Sequence, residues 1–205
     1  MILEDIKTSF NDAHQVLEAF INNEENFAAI EKAGTIMSEA IKNGGKVIAF
    51  DRALRTFAGR DGFNLMLNKQ TSTTNDSSAK LIPYANRRRE YAKNMITGAI
   101  FKTKVDNTHP MAYGYSNNYF SLKLGTSSYR LLTKGFNIAH IGDSVEKVSG
   151  FAGSETLNLL KNSLVFGEEQ IGRGSMIYFV DNVLFRSFWE NGKLFFVNSL
   201  FFVNN

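Results

Sequence analysis

The chain has 205 residues, 43% of them hydrophobic and 21% charged, with a formal net charge of +3 and no cysteine. That is an ordinary globular balance, long enough for one sizeable core or two small domains and too weakly basic to point to nucleic acid by charge alone. Without cysteine there is no disulfide, thiolate metal site or cysteine nucleophile, and no apolar run approaches the ~18–20 residues that span a bilayer.

The first seven residues, Met-Ile-Leu-Glu-Asp-Ile-Lys, lack the basic start and apolar centre of a secretory leader, which gives a cytoplasmic expectation. Leu3, Ile6, Phe10, Ala13, Leu17 and Phe20 then recur at three- and four-residue spacing and predict a helix with one apolar stripe. Glu4 and Asp5 suit the dipole of its first turn. Asn22-Asn23 interrupts the pattern, and a second helix follows from about Glu24 to Asn43, with Phe27, Ile30, Ala33, Met37 and Ile41 on one face. This helical hairpin carries more stripe than two helices bury between themselves. It must pack on the rest of the chain or on another copy, so a homo-oligomer through the N-terminal helices is expected. Asn43-Gly44 can end the second helix because glycine accepts the left-handed conformation of a C-terminal cap. Val47-Ile-Ala-Phe50 reads as a strand covered on both faces.

Residues 68–80 are polar and aperiodic and predict a mobile loop. Arg87, Arg88 and Arg89 suggest either an anion patch or a solvated helix face paired with Glu90, and the second is the expectation, with no nucleic-acid or membrane partner. Strands are predicted over 99–106, 119–124 and 136–141. Gly150-Phe-Ala-Gly153 reads as a tight turn, with Ser154 capping a short helix. Segments 163–170 and 175–181 read as a hairpin or adjacent strands. A last helix over 192–203 would cover the sheet with Leu194, Phe195, Val197, Leu200 and Phe201.

His14, His109 and His140 are far apart, and a metal site from His109, His140 and Asp181 has little pattern behind it, so no metal or cofactor is expected. No Gly-x-Ser-x-Gly elbow occurs. Asp181, Arg186 and Trp189 follow a predicted strand, where α/β proteins hold ligands. Arg186 would hold a carboxylate or sugar hydroxyls, and Trp189 would stack on a sugar or peptide. The plainer expectation is that Arg186 pairs with Asp181 while Trp189 fills the gap beneath the last helix.

Ala19-Phe-Ile-Asn-Asn23 through Gly44-Gly-Lys-Val47 resembles the start of the sedoheptulose-7-phosphate isomerases (phosphoheptose isomerases), which follow a first strand with a Gly-Asn-Gly-Gly-Ser phosphate loop. Here the strand continues instead as Phe50-Asp-Arg-Ala-Leu-Arg55, without those glycines. From about residue 40 onward, a second resemblance runs through Phe57-Ala-Gly-Arg-Asp-Gly-Phe63, Pro83-Tyr-Ala-Asn-Arg-Arg-Arg-Glu90 and Asp106-Asn-Thr-His-Pro-Met-Ala-Tyr-Gly-Tyr115, and on to Phe185-Arg-Ser-Phe-Trp189. These segments resemble the glutamine-amidotransferase-like region that follows the peptidase domain of bacterial zinc-carboxypeptidase-like proteins, which would be exported. The zinc-peptidase motif is missing.

The expectation is therefore an α/β chimera, with a helical hairpin over 1–43 joined to a truncated class I glutamine-amidotransferase-like (flavodoxin-like) sheet with flanking helices over 44–205. Its expected role is that of a noncatalytic accessory or binding domain. The alternatives are a sugar-phosphate isomerase relative that has lost its phosphate loop, or a peptide- or glycan-binding module.

Overall fold

A computed structural model describes residues 2–68 and 81–203. Helix α1 spans Ile2–Asn22 and α2 spans Glu24–Lys42, and they form the N-terminal helical hairpin. The break is a capping device: the Asn23 side-chain oxygen accepts the Glu25 N–H at 3.0 Å, and the Asn26 amide donates to the Phe20 carbonyl at 2.9 Å. Phe20 and Phe27 meet edge to face across the bend, 6.1 Å between centroids. Neither helix has a buried residue. The stripe side chains Leu3, Ile6, Phe10, Leu17, Ile30 and Met37 all lie exposed.

Helix α2 ends as expected, with Gly44 at φ +82° and the Gly45 N–H donating to the Ala40 carbonyl at 2.7 Å. The chain enters β1 (Lys46–Phe50), turns through Asp51–Ala53 and forms the one-turn helix α3 (Leu54–Phe57). Of the loop expected over 68–80, only Asn68 falls among the described residues. After it come α4 (Tyr84–Ala92), β2 (Ile96–Val105), β3 (Asn118–Lys123), the two-residue β4 (Tyr129–Arg130) and β5 (Phe136–Ile141). The chain continues through β6 (Glu146–Ala152), α5 (Ser154–Leu159), β7 (Ser163–Ile171), β8 (Gly174–Phe179) and α6 (Glu190–Phe201).

The strands form one curled, mixed sheet in the order β1-β8-β7-β5-β2-β3, with β4 added on β7 and β6 on β2. β1 runs parallel to β8, Lys46 opposite Ser175 through Phe50 opposite Phe179. The other pairings among the described strands are antiparallel. The α/β class and the flanking helices agree with the sequence reading, but a flavodoxin-like sheet would be parallel through its centre. The physical reason is connection length: two-residue turns such as Gly172-Arg173 between β7 and β8 can join only antiparallel neighbours.

Two apolar clusters fill the structure. One gathers Phe101, Ile138, Phe166, Ile177, Phe179 and Phe195, and the other Leu54, Leu65, Tyr129, Leu164, Met176 and Tyr178. Alternate residues of β8 enter different clusters, as strand geometry requires.

Three expectations need correction. Gly150 and Phe151 lie in strand β6, where Gly150 (φ +82°) approaches β2 so closely that a Cβ would stand 2.1 Å from the Gly98 carbonyl oxygen. Ser154 is the first helical residue of α5 and Gly153 the capping one, without a side-chain cap bond. The last helix buries Gly192, Phe195, Asn198 and Ser199, while Leu194, Val197, Leu200 and Phe201 are exposed. Its docking is largely polar at the rim: the Asn198 amide donates to the Met111 and Tyr113 carbonyls, and the Tyr115 hydroxyl accepts the Phe195 N–H. Burial pushes that tyrosine's pKa up to about 12.

Backbone contact fixes where α2 leaves the sheet. A Cβ on Gly174 would lie 2.4 Å from the Gly45 carbonyl oxygen and 2.8 Å from the Ile41 Cα, both main-chain atoms. Overpacking of this kind costs about 1–3 kcal/mol, about 2–4 °C per kcal/mol in a chain of this size. Gly174→Ala is therefore expected to lower the melting temperature by at least about 2 °C in a thermal scan, and an unchanged midpoint would show that α2 is not held by this contact.

Candidate functional site

The parallel pair brings the C-terminal ends of β1 and β8 side by side, and a cleft of about 440 Å³ opens beyond them. Asp51, Arg52 and Arg55 line it from the turn after β1. Lys123, Gly125, Thr126 and Ser127 come from the end of β3 and the loop after it, and Asp181 and Asn182 follow β8. Ligand sites of α/β proteins gather at such strand ends because side chains from separate loops converge there.

The turn after β1 is strained. Asp51 has φ +46°, a left-handed conformation that costs a non-glycine residue about 1–3 kcal/mol. The strand passes through this residue straight into a helical turn, so the Asp51 carboxylate is presented to the cleft by a sharp strand-to-helix bend.

Asp181 and Lys123 form a buried ion pair at 2.9 Å, and the Ser121 hydroxyl donates to the second Asp181 oxygen at 2.7 Å. This corrects the expected Arg186–Asp181 pair. Lys123 and Ser121 are adjacent inward positions of β3 and reach Asp181 directly, whereas Arg186 lies exposed in a turn where it and Ser187 take φ +50° and +59°. The Arg186 guanidinium sits over the Phe185 ring. Trp189 is half-buried, and its indole N–H donates to the Tyr119 hydroxyl at 3.2 Å. Of the three residues singled out from sequence, Asp181 lines the cleft and the other two lie outside its wall.

Arg55 spans the cleft wall, donating to the Ser127 hydroxyl at 3.0 Å. Beneath it, Tyr129 is fully buried. Burial raises the pKa of its hydroxyl, and Arg55, through its charge and a side-chain hydrogen bond, opposes the rise. Asp51, Arg52, Arg55 and the Gly125–Ser127 loop were not legible as a site from sequence, because they share no spacing. The one signal was a charged run immediately after an apolar strand.

His109 belongs elsewhere. Its Nε2 lies 3.0 Å from Glu168, its Nδ1 accepts the Met111 N–H, and Ser175 donates to the other Glu168 oxygen at 2.7 Å. The carboxylate stands between serine and histidine, so the histidine cannot act as a base on the serine. Burial alone would raise the Glu168 pKa, but these hydrogen bonds and the His109 and Lys46 charges leave it below the ordinary carboxylate value. His140 packs separately, its pKa lowered by burial and by Lys104. Among the described residues no group of three or more histidines and carboxylates could hold a metal, and no helix is long and apolar enough to cross a membrane.

Removing one partner of a buried ion pair leaves the other charge desolvated, at about 3–5 kcal/mol. Lys123→Met is expected to lower unfolding free energy by about 3 kcal/mol in urea, with much of it restored in Lys123→Met/Asp181→Leu. A loss below about 1 kcal/mol would mean that Asp181 is solvated.

The phosphoheptose isomerase of Histophilus somni (strain 2336) is 41% identical to this chain over 49 residues, 24% of this chain and 25% of the relative. The matched stretch thus spans about a quarter of the relative's length. No family model matches, and no solved structure matches, so neither supports the carboxypeptidase-associated resemblance. What the comparisons establish is a weak, partial similarity to a sugar-phosphate isomerase.

Proposed function

We propose that this chain is a noncatalytic, ligand-binding relative of the sugar-phosphate isomerases, taking a small phosphorylated sugar in the cleft at the ends of β1 and β8. The observation that carries this reading is the wall itself: Arg52 and Arg55 line the cleft with cationic donors, while Lys123 is held by Asp181. Arginine forks suit phosphate oxygens, while the Asp51 and Asp181 carboxylates suit sugar hydroxyls. The lost phosphate loop argues against the isomerase reaction, and the partial match supports only the kinship.

In the same reading residues 1–43 are a separate assembly element, joining copies into a homo-oligomer through the exposed stripes. A second reading, a peptide or glycan held by Asp181, Arg186 and Trp189, draws on the paired left-handed residues 186 and 187. It expects Arg186→Ala/Trp189→Ala to lose glycan or peptide binding while leaving sugar-phosphate binding intact.

A ligand at about ten times its Kd stabilises by about 1.4 kcal/mol, about 3–5 °C here. Sedoheptulose 7-phosphate at about 10 mM is expected to raise the melting temperature by that amount, unphosphorylated sedoheptulose to have no effect, and Arg55→Gln to abolish the shift. No shift with any sugar phosphate would sink the reading.

A further inference from the structure

Two surfaces of this chain are charged and uncovered, each with exposed aromatic side chains, and their charges are opposite. The N-terminal helices are acidic: residues 1–43 hold eight acidic against three basic residues. Glu24 and Glu31 flank the stripe that carries Phe27 and Ile30, at helical spacing from it. The remainder of the chain has the reverse balance, twenty basic against twelve acidic.

The matching surface is α4. None of its residues is buried. Tyr84 and Tyr91, 88% and 69% exposed, stand seven residues apart with Arg87 and Arg88 between them. Three-, four- and seven-residue steps place all four side chains on one helix face. Glu90, the partner expected for these arginines, instead pairs with Lys93 at 2.6 Å. Arg87, Arg88 and Arg89 make no ion pair among the described residues.

We infer that α4 of one copy docks on the N-terminal helices of a second copy, and reciprocally, with Arg87 and Arg88 set against Glu24 and Glu31 and the two tyrosines set on the Phe27–Ile30 stripe. This rests on the assembly role proposed above and names the surface that fulfils it. The chain's own helices do not cover α4, and the backbone contact of Gly174 with Gly45 and Ile41 fixes the direction in which α2 leaves the sheet. Pairing helices with helices would instead set one acidic surface against another. Reciprocity doubles the contact. Covering the two tyrosines removes about 150–250 Å² each from water, and the opposed arm residues add a like amount, which brings each copy toward the ~800 Å² of a stable interface.

The test is light scattering on the eluting full-length chain, with two charge-reversed variants on exposed positions. Wild type is expected at twice 23.0 kDa, shifting toward monomer as salt rises. Arg87→Glu/Arg88→Glu and Glu24→Lys/Glu31→Lys are each expected to weaken self-association at least tenfold, and an equimolar mixture of the two to recover the dimer, since both contacts are then again between opposite charges. Circular dichroism checks that each variant is folded. A wild type that stays monomeric at about 50 µM overturns both this docking and the proposed assembly role. A dimer that survives Arg87→Glu/Arg88→Glu overturns the docking alone and leaves assembly through the arms. Failure of the mixture to recover the dimer also overturns it.

Discussion

The structure turns on how one short strand joins the sheet. β1 pairs parallel to β8 over five residues, on the outer edge of an otherwise antiparallel sheet. Because the pair is parallel, both strands end on the same side, and the turns after Phe50 and Phe179 face each other across the cleft. Because β1 starts directly after a helix, the same pairing fixes the exit of α2 at the opposite end. The close approach of Gly174 to Gly45 and Ile41 leaves no room for side chains at that corner. One strand thus positions both the cleft and the N-terminal helices.

Around it, several buried carboxylates and lysines are held by named partners. Adjacent Glu168 and Glu169 on β7 point to opposite faces. Glu168 is held by His109 and Ser175, and Glu169 by Asn64 and the Tyr178 hydroxyl. Lys46 ties the start of β1 to the end of α6 through the Leu200 and Val203 carbonyls. Burial lowers its pKa, with the Glu168 charge acting against that shift. Lys123 and Asp181 neutralise one another at the cleft wall.

Legibility followed burial. β5 was readable to the residue because Ile138, Ala139 and Ile141 are core positions, and the paired helices were readable from stripes at helical period. β6 was not, because Glu146–Phe151 are exposed and carry no alternation to distinguish strand from turn. The covered face of α6 was misjudged because glycine, asparagine and serine line it, and small or hydrogen-bonded residues give no apolar signal. At the cleft, Asp181 was found from its place after a strand. Its true partner, 58 positions away on β3, is a tertiary fact that local spacing does not carry. The strain at Asp51 was hidden for a related reason, since no glycine marks the turn in which it takes a left-handed conformation.

The proposed ligand cleft and the proposed assembly surface lie on separate parts of the chain, and nothing in the networks described couples them. The central claim concerns the first. It is tested most directly by following backbone amide resonances of the isotope-labelled chain during titration with sedoheptulose 7-phosphate. Saturable shifts confined to Asp51–Arg55, Gly125–Ser127 and Asn182 are predicted. Shifts concentrated around Arg186 and Trp189, or none beyond those that sulfate produces, would contradict the account.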